Sequence, residues 1–115
     1  MAKKDTEQVL KHHMNCLAAG DLEGVMEDYD DDSILITFMG VNKGKKAIKD
    51  TFKMIIGMMT PEIVANMGKS LKQECAGEYA MITYTAPPLL IYGTDTFHIH
   101  DGKIMAQTAA SQTKT

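Results

Sequence analysis

The chain has 115 residues, 44% hydrophobic and 23% charged, enough for one domain that buries roughly two thirds of its unfolded surface without metal or disulfide support. Its net charge is −3 and all 12 basic residues are lysine, scattered apart from "KGKK" at 43–46 and without interleaved aromatics, which argues against a nucleic-acid partner. No apolar run is long enough to span a bilayer, so no membrane partner is expected. The opening "MAKKDTEQVLKHHM" turns polar and amphipathic where a secretory signal stays apolar, so the chain reads as cytoplasmic, with Cys16 and Cys75 as reduced thiols.

In chain order, "TEQVLKHHMNCLAAGD" (6–21) predicts a first helix that ends at Gly20, with Val9, Leu10, His13, Met14 and Leu17 in one stripe. Asp21 can cap a short second helix carrying Leu22, Val25, Met26 and Tyr29. "DYDDD" then reads as a solvated exit, lacking the ligand spacing and central glycine of a calcium loop. "SILITFM" predicts a strand, and "GVNKG" leads to a third helix from Lys45 with the stripe Ile48, Phe52, Ile55, Ile56 and Met59. From Pro61 the pattern predicts strands: "PEIVANM", "SLKQEC", "EYAMITYTA", "LLIYGTDTFHIH" and "KIMAQTAAS". Helices first and strands later imply an α+β fold in a single domain, residues 1–115, with helices on one face of an antiparallel sheet.

"HDGK" at 100–103 fits a two-residue type I′ hairpin turn. The register that follows pairs His100 with Lys103, Ile99 with Ile104, His98 with Met105, Phe97 with Ala106, Thr96 with Gln107 and Asp95 with Thr108. By alternation Ile99, Phe97, Asp95, Ile104, Ala106 and Thr108 share one face, while the histidines, Lys103 and Gln107 share the other. The apolar face belongs to the core, so Asp95 points inward, where burial raises a carboxyl pKa unless a donor or cation meets it.

On the first helix His13 lies about 60° from Leu10 and His12 roughly 160°, so His13 faces in and His12 faces water. His13 and Asp95 form the simplest buried polar pair available, and the candidate catalytic one. Either could equally be structural: Asp95 could accept from Thr108, a tyrosine or a backbone amide, and His13 could donate to a carbonyl.

The succession "AAGDLEGVMEDYDDDSILIT", "GKKAIKDTF" and "GTDTFHIHDGKIMAQT" resembles the NTF2-like superfamily, in particular its SnoaL-like and ketosteroid-isomerase-like members. The resemblance implies a cone-shaped barrel, a curved antiparallel sheet packed against about three N-terminal helices. It also implies an apolar pocket for a small apolar molecule and a homodimer formed through the sheet face. The pocket would be lined by Met14, Leu17, Tyr29, Thr37, Phe52, Ile56, Met59, Phe97 and Thr108. By the same resemblance the steroid isomerases' general-base aspartate falls on Thr37, their proton-donating aspartic acid on Asp95, their first-helix tyrosine on His13 and their third-helix tyrosine on Phe52. A threonine cannot serve as the base, so ketosteroid isomerisation itself is not expected. What the residues leave open is another proton transfer, of isomerase or hydratase type, on an apolar carbonyl compound. His13 would then be the base with Asp95 fixing its tautomer, or a protonated Asp95 would donate to the ligand. The other readings are a noncatalytic binding domain and a dimerisation module.

"HIH" at 98–100 has a minimal metal-binding spacing but no third ligand, and neither metal nor cofactor is expected. Cys16, three residues after His13, reads as a small buried hydrophobe. The ten methionines read as core filler.

Overall fold

The computed structural model describes residues 5–113. The "MAKK" opening, part of the basis for the cytoplasmic expectation, lies outside the described residues. Ten elements follow in order: α1 (Thr6–Ala18), α2 (Leu22–Met26), β1 (Ile34–Thr37), β2 (Gly40–Lys43), α3 (Lys45–Met58), α4 (Pro61–Ser70), β3 (Lys72–Ala76), β4 (Tyr79–Ala86), β5 (Leu90–His100) and β6 (Lys103–Thr113). Asp5 and Gln8 cap α1 reciprocally, each side chain accepting the other's backbone N–H at 2.9 Å. The helix stops before Gly20, whose φ of +69° the chain needs to turn into α2.

Residues 61–67, expected as a strand, instead begin a fourth helix. Thr60 Oγ1 accepts the Ile63 N–H at 3.2 Å, and Pro61 sits in the first turn, where its missing N–H has no partner to lose. Ile63, Val64 and Met67 then fall on one side at i, i+1 and i+4, a helical spacing that the β-branched pair Ile63 and Val64 had disguised.

The six strands form one curved, unclosed sheet in the order β2-β1-β6-β5-β4-β3. It is mixed rather than wholly antiparallel, because β1 runs parallel to β6. No tight turn joins those two strands, so nothing in the local sequence fixes their relative direction. The helices cover one face, making the fold α+β. Val9, Leu10 and Leu17 of α1 and Ile48 and Phe52 of α3 meet Leu35, Ile82, Phe97, Ile99 and Ile104 of the sheet in one continuous core.

The β5–β6 turn is as expected, with positive φ at both Asp101 and Gly102. The pairs His100–Lys103 and Ile99–Ile104 also form, but the ladder then slips. His98 pairs with Ala106, Phe97 with Gln107, Thr96 with Thr108 and Asp95 with Ala109, leaving Met105 as the extra residue of a bulge. A one-residue slip exchanges the faces of everything beyond it. Gln107 is consequently buried, and Thr108 is exposed rather than turned into the core.

Candidate functional site

Asp95 lies on β5 with its side chain 9% exposed. Two residues earlier on the same face is Gly93, which pairs with Tyr84 of β4. A side chain at position 93 would collide with the Tyr84 ring, so the glycine is what lets that ring lie across β5. Tyr84 Oη thereby donates to Asp95 Oδ1 at 3.0 Å. From β6, Gln107 Nε2 donates to Asp95 Oδ2 at 2.8 Å, and Gln107 Oε1 accepts from Tyr29 Oη. The ionised carboxylate can only accept, so the amide nitrogen must face it, and the amide oxygen is left to accept from the Tyr29 hydroxyl. Burial raises the Asp95 carboxyl above its usual range, and the Gln107 and Tyr84 hydrogen bonds pull it partly back. Burial and then the Asp95 charge push both Tyr29 and Tyr84 upward, which keeps the two hydroxyls protonated as donors.

His13 is buried as expected, 1% exposed, with its ring edge-on to Tyr29, Phe52 and Phe97 at centroid separations of 5.9, 5.6 and 5.8 Å. Its Nδ1 is buried without a hydrogen-bond partner. Burial first, and the neighbouring His12 second, push its pKa down to about 4, so the imidazole is neutral at neutral pH. The expected bond by which Asp95 would fix the His13 tautomer is not formed. Both carboxylate oxygens are taken by Tyr84 and Gln107, and the titration of His13 is governed by its apolar surroundings.

The two residues nonetheless line the same cavity, of about 330 Å³. Met14, Leu17, Thr37, Phe52 and Met59 line it as well. Tyr29 and Phe97 stand behind it, packed on His13. Ile56 turns instead to a shallower depression beside Gly20 and Pro61, and Thr108 lies outside on the far face of the sheet. Thr37, where the resemblance removes a carboxylate, accepts the Met39 N–H at 3.1 Å.

Sequence reasoning missed Tyr84 and Gln107. Tyr84 was readable, since it alternates with the apolar Ile82 on β4, whereas the bulge that turns Gln107 inward leaves no local mark. The role expected of the methionines also changes. Met14, Met39, Met54, Met58, Met59 and Met67 all line the cavity, and Met39, Met54 and Met58 are exposed at the surface with Phe38 beside them. Their flexible thioethers form an adaptable apolar wall, while Met26 fills the core as expected and Met14 and Met59 also pack against it.

Outside the cavity, His98 and His100 do lie on the outer face, where Glu78 holds them at 3.0 and 2.7 Å. Among the described residues no group of three or more His, Cys, Asp or Glu could hold a metal ion. No helix there is long and apolar enough to cross a membrane.

The sequence matches no family model and no curated protein. Solved structures do match its backbone. An NTF2-like protein of unknown function from Cytophaga hutchinsonii superposes with a TM-score of 0.74 at 11% identity, over 97% of this chain and 93% of that one. The chain has the NTF2-like fold. The chain is also similar to a SnoaL-like protein of unknown function from Burkholderia thailandensis, with a TM-score of 0.72 at 15% identity over 92% of this chain and 93% of that one. A candidate polyketide cyclase from Sinorhizobium meliloti matches with a TM-score of 0.68 at 14% identity, over 88% of this chain and 92% of that one. At such identities the likeness carries the fold and not the activity.

Proposed function

We propose that residues 1–115 form one domain that binds a small apolar molecule bearing a carbonyl group and transfers a proton on it through Asp95. The observation that carries this reading is a buried carboxyl with raised pKa, hydrogen-bonded to Tyr84, at the wall of an otherwise apolar cavity. A raised pKa brings a carboxyl closer to the working pH, where it can both take and return a proton. Tyr84 stays protonated beside the carboxyl, and its single O–H would have to turn from Asp95 Oδ1 to the ligand to donate to the carbonyl oxygen as charge develops there. His13 lines the same cavity as a neutral imidazole whose Nδ1 has no partner within the protein, and its lowered pKa makes it a weak base beside Asp95. The apolar ligand of the reading is in keeping with the name given to the Sinorhizobium protein, although that activity belongs to that protein alone.

The test is deuterium exchange. Apolar ketones that bind in a ligand-observed NMR screen are incubated with protein in heavy water, and the loss of their α-proton signals is followed. Wild-type protein is expected to catalyse exchange, and Asp95→Asn to bind the same ketones while exchange falls by at least about a hundredfold, the scale of a general base. Bound ketones that never exchange would overturn proton transfer.

One observation favours a second reading, noncatalytic binding: both Asp95 oxygens are already occupied by internal donors. On that reading Asp95→Asn would change affinity alone. We also place a homodimer on the outer sheet face, where Tyr79, Met81 and Tyr92 are exposed together with Thr108. Sedimentation velocity of Tyr79→Lys against wild type checks it, with a shift to monomer expected.

A further inference from the structure

Cys16 does not pair with His13, three residues before it, but with His12, four residues before it on the same face of α1. His12 Nε2 lies 3.5 Å from Cys16 Sγ, while His12 Nδ1 sits between the two oxygens of Asp28 at 2.9 and 2.8 Å. Asp28 is 2% exposed, a buried carboxylate rather than part of the solvated acidic exit the sequence suggested, and His12 is correspondingly half-buried rather than facing water. A thiol, an imidazole and a buried carboxylate therefore stand in line on a part of the molecule that the cavity does not include. The arrangement is one of nucleophile, base and base-orienting group.

The fold makes room for it. A Cβ at Gly24 would lie 2.7 Å from Cys16 Sγ, so the glycine of α2 is what allows α1 and α2 to close with the sulfur between them. Asp28 follows α2 directly, and its backbone carbonyl accepts the Ile104 N–H at 2.7 Å, which anchors the carboxylate to the sheet. Among the described residues, the other charged groups near the site include Glu27, whose Oε1 is 3.3 Å from His12 Nε2, Asp21, the cap of α2 beside Gly24, and Lys103, whose Nζ donates to the Glu27 carbonyl at 2.6 Å. Glu27 is largely exposed and competes with the thiol for Nε2. Asp28 is the partner that holds the ring in place.

We infer that Cys16 is a reactive thiol, activated by His12 and positioned through Asp28, that hydrogen peroxide modifies to a sulfenic acid. His12 takes the thiol proton, and the resulting thiolate attacks one peroxide oxygen. The S–O bond forms as the O–O bond breaks, sulfur loses two electrons to the peroxide, and the departing hydroxide takes the proton from the imidazolium to leave as water. Cys16 is only partly buried, so peroxide can reach it. The second cysteine provides an internal contrast. Cys75 Sγ accepts from Gln73 Nε2 at 3.5 Å, among the described residues no imidazole hydrogen-bonds its sulfur, and burial raises its pKa.

The experiment uses the full chain as two single-cysteine proteins, Cys75→Ser and Cys16→Ser. Thiolate absorbance near 240 nm is titrated in each, and each is treated with peroxide plus dimedone and read by intact mass. The thiolate midpoint of Cys16 is expected at least one unit below the free-thiol value of about 8.5, with a dimedone adduct on Cys16 and little on Cys75. Adding His12→Gln to the Cys75→Ser protein is expected to raise the midpoint by about one unit or more and to cut the adduct several-fold. A Cys16 midpoint at or above about 8.5 would overturn the inference, as would equal adducts on the two cysteines. The comparison between cysteines leaves His12 untouched, so a poorly folded His12→Gln protein does not rescue the inference or remove its test. It is also independent of the cavity, so failure here leaves the proton-transfer proposal standing.

Discussion

A methyl group at position 93 would sit 2.5 Å from Tyr84 Cε2 and 2.6 Å from its Cζ, closer than any van der Waals contact allows. Gly93→Ala is therefore expected to push the Tyr84 ring off β5 and break its hydrogen bond to Asp95. The overpacking should lower stability by about 1–3 kcal/mol in urea unfolding. It should also raise the Asp95 pKa further, because a donor that had favoured the charged form is gone. His13 makes the other prediction at this scale. Its native pKa of about 4 lies below the ordinary 6.5, so the unfolded chain binds a proton first as the pH falls. The stability His13 contributes is present above about 6.5 and is lost as the pH drops toward 4, on the order of 3 kcal/mol across that window. Asp95, with its raised pKa, acts in the opposite sense, binding its proton more readily when folded. Comparing urea midpoints of wild type and His13→Leu at pH 7 and pH 4.5 isolates the histidine: the variant should lose distinctly less stability on acidification. A leucine there also removes the unpaired Nδ1, a buried polar atom of the kind that costs about 1–3 kcal/mol.

At the scale of elements, what could be read from the sequence was whatever rests on short-range chemistry. The Asp101–Gly102 turn, the caps at Asp21 and Gly20, the stripe of α3 and the inward side of Asp95 all follow from spacing within a few residues. The partners of Asp95 do not. Gln107 faces in only because Met105 bulges, and a bulge is decided by how two strands curve over the core rather than by a residue type. The same long-range dependence hid Asp28, whose burial follows from α1 packing over the exit of α2. α4 was misread for a different reason: β-branched Ile63 and Val64 favour strand in isolation, and Thr60 with Pro61 outweighed them. Thr60→Ala should then cost about 1 kcal/mol, seen as a lower thermal midpoint. Because Ile63 and Met67 of α4 line the cavity, apolar ligand binding should weaken in the same variant.

For the whole molecule, the open, curved sheet and the helices laid over it leave a largely apolar hollow with one carboxyl, Asp95, in its wall. Structural neighbours at 11–15% identity share the frame, so the frame does not by itself carry the chemistry. Inside that hollow this chain carries the Tyr29–Gln107–Asp95–Tyr84 chain of hydrogen bonds and a methionine-rich wall around it. Its proposed chemistry depends on that carboxyl holding its proton more tightly than an exposed aspartate does. The most direct measurement is an NMR titration of the Asp95 side-chain carboxyl carbon in the folded protein, repeated in Tyr84→Phe. The expected result is a midpoint above the ordinary value of about 3.9 that rises again when the tyrosine hydroxyl is removed. A midpoint at or below 3.9 or so, unmoved by Tyr84→Phe, would contradict the account.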